Sequence, residues 1–510
     1  MSAGAITDCS QIAPPAELTV EVCVIGSGCG GATAAWELAL AGRDVLVLEE
    51  GGDFTGAKLT QRDGAMYDQL YQDRGGRTTS DLSVSVLQGR VLGGGGVINA
   101  CDVVPISDAV ARHWQRTYAL ETFSPEALKP FTARALEDLS ANTPVEEQLN
   151  RNNRILREGA QKLSWRGEVM QHNRVGCVGA GTCLIGCSFD RKKNPRFVAI
   201  PNALAAGARF FTRARAVRID DAGQELKRVT VRRLDAKGYH EGETFTVRAK
   251  VVILAANAIA SAQLLLRSGL GNDHVGRHLS LQPQLPITSI FPDEVRFHRG
   301  IPQSYAVTEF EELEHREHGW WGFRIEAISG TPGIVASLLP EPGAPGVERM
   351  REYSRLAAAL LLVPDASHGR VRVESNGRLR IDYALDDEQR GRYRRAVRAA
   401  AQLYLAAGAT EIYVPTSPTL RIRSEADLAK ADELPFRPTS APFLSAHQQG
   451  TVRFAPDASK GAAAPDGQVY GTRGLYVFDS SGFPSSASSH TMAPIIAVSR
   501  MLTKQLLTTL

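Results

Sequence analysis

Eleven histidines are spread through the chain, and two of them sit where an imidazole has chemical work to do. His447 lies in Ser445-Ala446-His447-Gln448-Gln449-Gly450-Thr451, and His490 lies in Ser489-His490-Thr491-Met492. Both segments read as loops rich in Gly, Ser and Thr. Histidine is the side chain whose ordinary pKa lets it take up a proton near neutral pH. A pair of them could remove a hydroxyl proton and orient the oxygen left behind. The other nine carry no such signal. His315 and His318 fall in the charged stretch EELEHREHGWW and read as solvated surface. His113, His172, His240, His274, His278, His298 and His368 have no motif around them.

A glycine pattern lies at the other end of the chain. Gly26, Gly28 and Gly31 fit G-x-G-x-x-G. The first allows a tight turn, the second lets backbone approach a pyrophosphate, and the third lets a helix pack close to a strand. The N-terminus of that helix offers free N–H groups and partial positive charge to phosphates. Glu49 closes the next strand, where a carboxylate accepts from ribose hydroxyls. These residues predict a dinucleotide site without separating NAD from FAD. The segment Gly89-Arg90-Val91-Leu92-Gly93-Gly94-Gly95-Gly96-Val97-Ile98-Asn99 makes that separation. It lies too far along to be the first turn, and successive glycines with apolar flanks suit backbone passing against a large flat ligand. FAD is therefore the expected cofactor, and an NAD-linked enzyme is disfavoured.

With these segments in view, the sequence resembles the glucose–methanol–choline (GMC) family of FAD oxidoreductases over nearly its whole length. Gly89 to Asn99 is similar to the family's first signature. Ala255 to Gly271 resembles the second, with Asn257 and Ala262 in place of its usual Gly and Pro. Gly474 to Ser480 resembles the flavin-contacting strand, and His447 to Thr451 the H-x-x-G-T motif, from whose common form Gln449, Phe454 and Ala455 depart. The resemblance implies that Gly26, Gly28, Gly31, Glu49, Gly94 and Asn99 hold the cofactor, that main chain near Val217 meets the adenine, and that Asp479 reaches the ribityl–pyrophosphate region. It implies oxidation of an alcohol, with His447 as base and His490 as the group orienting the substrate oxygen. Among branches, the chain looks most like bacterial long-chain alcohol oxidases, then cholesterol-oxidase-like members. A lyase on the same flavoprotein fold is the alternative reading.

These residues need elements to carry them. Thr19 to Ile25, Ala32 to Ala41 and Asp44 to Leu48 read as strand, helix and strand, one βαβ unit opening a parallel sheet. Ala208 to Ile219 reads as a third strand and Lys250 to Leu254 as a fourth. Residues 53–88 read as a covering loop. Gly369 to Asp382 reads as a hairpin turning at Asn376-Gly377. Asp387 to Ala407 reads as a helix capped by Asp386 or Asp387 and stopped by Gly408. The apolar run Leu356 to Val363 reads as a buried strand. The fold class expected is α/β (α+β overall). A discontinuous Rossmann-like FAD domain (residues 1–106, 196–285 and 436–510) carries an inserted substrate domain (107–195 and 286–435) built on an antiparallel sheet with helices.

Composition narrows the function classes. The chain has 510 residues, of which 58 are basic and 55 acidic and interspersed. That leaves no basic face for nucleic acid. No run approaches the ~20 apolar residues of a membrane span, and the N-terminus has no signal-peptide pattern. The seven cysteines read as reduced thiols, so a cytoplasmic location is expected. Cys177, Cys183 and Cys187 match no common metal-site spacing and read as a structural turn with buried thiols; no metal is expected. Arg77 to Gln88 contains neither His nor Cys, so the flavin is expected to be non-covalent. The expected partners are a small-molecule alcohol and oxygen or another electron acceptor, and the oligomeric state is open. Leu356 to Val363 with Trp320, Trp321 and Phe323 could line or back a pocket, and no dense Asn/Asp/Arg cluster is visible. Both point to a long-chain or bulky apolar alcohol.

Overall fold

The computed structural model describes residues 4–221, 225–316, 319–339, 341 and 343–510, with the side chains of 312–321 left out. The side chains of His315, Trp320 and Trp321, and all of His318, lie outside the described residues.

The fold is mixed α/β and rests on two sheets. The first runs Ile6–Asp8, Arg209–Thr212, Val45–Leu48, Glu17–Ile25, Glu241–Leu254, Lys227–Leu234 and Ala214–Asp220. Its first five strands are parallel, and Leu475–Val477 adds a parallel neighbour at the end of Glu241–Leu254. Val22 to Ile25 and Val45 to Leu48 are almost all buried, as strands covered on both faces must be. The helix between them is Cys29–Leu40, starting three residues earlier than its sequence reads. Its first turn therefore lies inside the glycine motif. The strand read over Ala208 to Ile219 is two strands. Arg213, at φ +55°, breaks it. The first part pairs parallel with Val45–Leu48 and the second antiparallel with Lys227–Leu234. The covering segment 53–88 holds a helix, Asp63–Leu70, and a short strand, Val84–Val86.

The second sheet runs Leu420–Ile422, Glu411–Val414, Gln284–Ile290, Leu356–Leu362, Arg324–Ala327, Tyr305–Val307 and Gly167–Val169, antiparallel throughout. Phe443–Ser445 bridges Gln284 to Val84–Val86. Helices Arg151–Lys162 and Asp387–Ala407 pack together and on this sheet. The long helix has the boundaries and caps its sequence predicts: Asp386 accepts from the Gln389 N–H, and Gly408 ends it at φ +99°. The hairpin at Asn376-Gly377 also forms, pairing Arg370–Val373 with Leu379–Asp382. Leu356–Leu362 is a central strand, buried on both faces. Its register sets Pro286, Leu360 and Glu326 in one row across the sheet, and Thr288 beside Ala358.

Candidate functional site

The two glycine segments meet. A Cβ on Gly94 would lie 2.7 Å from the Gly28 Cα, and Gly94 sits at φ +59°. The helix Cys29–Leu40 starts with no side chain capping it, so its first N–H groups face the crossing. Below it, a Cβ on Gly31 would lie 1.9 Å from the Gly26 carbonyl, so the third glycine serves helix–strand packing and does not line the cavity. Glu49 ties the segments together. It accepts from the Ser27 hydroxyl at 2.6 Å and from the Gly51 N–H at 2.7 Å. The Ser27 hydroxyl in turn accepts from the Gly93 N–H at 3.1 Å. A bulge between Ala216 and Arg218 leaves Val217 out of the strand pairing. Asp479 accepts from the Asn257 N–H at 3.0 Å and the Ser261 hydroxyl at 2.7 Å. Asn257 takes the family's glycine position at φ +76°, a conformation Asn tolerates better than most residues.

Gly26, Gly28, Glu49, Gly94, Asn99, Val217, Asp479, His447 and His490 all line one cavity of about 830 Å³. The cradle fits a flavin dinucleotide: glycine backbone at the crossing, an uncapped helix end and a carboxylate at the neighbouring strand end. Lys192, which carries no sequence signal, ties down the end of the second glycine segment. Fully buried, its Nζ donates to the Val97, Asn99 and Cys183 carbonyls at 2.8, 2.8 and 3.1 Å.

His447 and His490 come together at the same cavity, with ring centroids 4.9 Å apart and ring planes at 77°. His447 is 8% exposed. Its Nδ1 lies 2.7 Å from the Gln282 Oε1, and the Gln282 amide is oriented by donating to the Ser488 carbonyl at 2.8 Å. The Gln284 Nε2 also approaches Nδ1, at 3.1 Å. The shorter Gln282 contact favours the proton on Nδ1, and no described residue hydrogen-bonds the ring Nε2. Burial, then the neighbouring His490, pushes the His447 pKa down to about 3, so the ring is neutral. His490 differs. Its Nε2 lies 2.9 Å from Glu326, a fully buried carboxylate that also accepts from Gln303 and pairs with Arg324 at 3.0 Å. Burial lowers the His490 pKa, but the Glu326 charge outweighs it and the net shift is upward. Burial likewise raises Glu326, and His490 and Arg324 overcome it to leave the carboxyl at about 2. The pair is an imidazolium and a carboxylate.

This polar group was not visible in the sequence as a cluster. Arg324 and Glu326 share one strand, but Gln303 and His490 lie on distant segments, and only the tertiary fold gathers the four. Beyond them the wall turns apolar: Pro286, Phe297, Ile328, Leu360, and Ile334 and Leu338 of the helix Pro332–Leu338. Leu360 and Ala358 of the apolar run face the cavity from within a buried strand, so the run is both core and wall. Phe323 stacks on Phe310 in the core and is not among the lining residues. Of the three cysteines read as buried, Cys183 is buried, while Cys177 and Cys187 are partly exposed. His172 is engaged by Asn142 and Arg174 at 2.8 Å each.

Two family profiles described as GMC oxidoreductase match residues 67–284 and 364–499, and one described as an NAD(P)-binding Rossmann-like domain matches residues 24–85. The chain is 32% identical to an uncharacterized GMC-type oxidoreductase of Mycobacterium tuberculosis, over 96% of this chain and 78% of that one. It is 27% identical to a long-chain-alcohol oxidase of Arabidopsis thaliana, over 96% and 69%. Its fold matches pyridoxine 4-oxidase from Mesorbium loti with a TM-score of 0.73 at 17% identity, over 96% and 99% of the chains.

Proposed function

The chain belongs to the GMC oxidoreductase family, and on that premise we propose that it is an FAD-dependent oxidase or dehydrogenase converting a largely apolar alcohol to its carbonyl. One observation carries this reading. A neutral and a cationic histidine converge on the cavity that the glycine crossing also lines. Bound FAD supplies the hydride acceptor. The chain supplies the rest. His447 accepts the hydroxyl proton at Nε2, the nitrogen left free by Gln282. His490 donates from Nδ1 to the substrate oxygen, and its charge stabilises the oxygen as the proton leaves. Glu326 keeps that charge in place. Gly26, Gly28, Glu49, Gly94, Asn99, Val217 and Asp479 hold the cofactor, with Gly31 setting the helix against the strand. Residues 107–195 and 286–435 form the substrate domain. The seven free thiols suit a cytoplasmic location, and among the described residues no helix is long and apolar enough to cross a membrane. Oxygen or another electron acceptor would be the second substrate of this reaction.

The test is anaerobic addition of linear alcohols of increasing length, a sterol and glucose to the yellow protein. Flavin bleaching by alcohols, with kcat/KM for reduction rising along the linear series, is expected. The rise is graded, because an apolar pocket discriminates by roughly 1–3 kcal/mol per methylene. Glucose outperforming every apolar alcohol would overturn the substrate class, and no bleaching by any alcohol would overturn the reading itself. Acid precipitation is expected to release the colour, since Arg77 to Gln88 offers no His or Cys for attachment. Colour retained in the washed pellet refutes this.

Glu326→Gln is expected to slow reduction by about tenfold and to move loss of activity at high pH toward neutrality, since His490 then loses its proton sooner. The stability consequence has a definite sign. His490 has a raised folded pKa, so its contribution is full below its unfolded value of about 6.5 and fades as pH climbs through the folded value. Glu326 is lowered to about 2, so its contribution is present above its unfolded value and is lost as pH falls toward 2. The wild type should therefore exceed Glu326→Gln by about 3 kcal/mol between roughly pH 5 and 6. Denaturant titrations giving a gap that widens above pH 8 contradict the ion pair.

A further inference from the structure

The hairpin that pairs Arg370–Val373 with Leu379–Asp382 belongs by sequence to the substrate segment, yet it joins neither large sheet. Its base is fastened to the cofactor domain instead. Gly369 and Leu279 exchange N–H to carbonyl bonds of 2.9 Å, and the Val371 N–H donates to the Gly276 carbonyl at 2.6 Å. The Ser80 N–H donates to the Ile381 carbonyl at 2.7 Å, and the Ser80 hydroxyl to Asp382 at 2.8 Å. The tip reaches the cavity, which Gly377, Arg378 and Leu379 line. Arg267 holds it there, with Nη2 donating to the Gly377 carbonyl at 2.8 Å. The Arg378 guanidinium makes no hydrogen bond or ion pair with any described residue.

A chain of contacts decides which part of a dinucleotide lies under this tip. A pyrophosphate belongs at the glycine turn and the helix N-terminus, and the ribose of the adenosine half at Glu49. The Ala214 N–H donates to the Glu49 carbonyl at 2.9 Å, and the strand that starts there lines the cavity as far as Val217. Two residues on, the Ile219 N–H donates to the Ser268 hydroxyl at 2.9 Å, next to Arg267. The path from Glu49 past Val217 thus leads to Arg267 and the hairpin. The helix Asn257–Ser268 walls the same path. Its Asn257, Ala260, Leu264 and Arg267 line the cavity at helical spacing, a face about 15 Å long. That face begins at Asn257, whose N–H bonds Asp479, and ends at the hairpin.

We propose that the hairpin tip is part of the cofactor site: latched by Arg267, it closes over the adenosine end of bound FAD, where Arg378 lays its guanidinium on the adenine. The proposal rests on FAD as the cofactor. A flat guanidinium stacks on aromatic and base faces, and adenine gives Arg378 the partner that the chain does not.

The test follows FAD release from the holoenzyme as the rise of flavin fluorescence after dilution, with the Tm of each apoprotein as control. Arg267→Ala and Arg378→Ala are each expected to release FAD about tenfold faster than the wild type, while their apoproteins melt with the wild-type apoprotein. Arg267→Lys, which keeps a donor for the Gly377 carbonyl, should recover most of the loss. Arg378 is exposed and has no partner among the described residues, so its removal leaves the fold intact. The Tm rise that ADP gives the apoprotein should shrink in both alanine variants, because ADP carries only the adenosine half of FAD and a ligand stabilises what it binds. Release at the wild-type rate from both alanine variants overturns the clasp. So does faster release matched by a lower apoprotein Tm, which is what a structural defect alone produces. A wild-type apoprotein that takes up no FAD overturns the cofactor reading itself. FAD bound by all four proteins and released at one rate removes only the hairpin from the site.

Discussion

Replacing His447 by alanine should leave a yellow protein whose flavin is reduced by alcohols about a hundredfold or more slowly, the usual range for losing a general base. The cofactor should stay, because the His447 ring is held by Gln282 and Gln284 and makes no hydrogen bond to the glycine segments. Burial keeps the ring neutral well into acid, so the base is ready at every working pH and the wild-type rate should not collapse between pH 5 and 7. His490→Ala should also slow reduction. Because both rings act on one oxygen, the double variant should lose less than the product of the two single losses. Stopped-flow reduction of His447→Ala at an undiminished rate would sink the assignment. Fully multiplicative losses would show that the two histidines act on separate steps.

Gly94→Ala should abolish FAD binding. The added Cβ lies 2.7 Å from the Gly28 Cα, a backbone atom that has no rotamer to escape into. The backbone at φ +59°, ψ −147° is a region essentially reserved for glycine. Relief requires the two glycine segments to separate, which opens the cradle and breaks the link from Gly93 through Ser27 to Glu49. The purified variant should be colourless and melt lower than the wild type. Adding FAD should raise the wild-type apoprotein's Tm and leave the variant's unchanged, since a ligand stabilises only what it binds. A full complement of flavin in Gly94→Ala would mean that the crossing is not the cradle.

Some of this protein is determined by residues close in sequence. Gly26, Gly28 and Gly31 between a strand and a helix specify a βα turn, because backbone sterics and close approach leave no other residue type. Asp386 and Gly408 bound their helix because each satisfies backbone groups within a few residues. His447 and His490 are recognisable because motif and loop composition surround them. The site's polarity is of another kind. Glu326 lies in the short strand Arg-Ile-Glu-Ala, where alternation says only that two side chains share a face, and its partner His490 is 164 residues away. Lys192 stands alone among unremarkable neighbours. The run Leu356 to Leu362 shows no periodicity because both its faces are buried, so only pairing with Gln284–Ile290 and Arg324–Ala327 reveals that Ala358 and Leu360 face the cavity. Arg213 divides one apparent strand because its two halves find different partners, one parallel and one antiparallel. Local sequence determines conformations whose satisfying groups are neighbours in the chain. Which face of a strand meets the cavity, and which charge meets the histidine, depends on register between distant segments, and that only the tertiary structure decides.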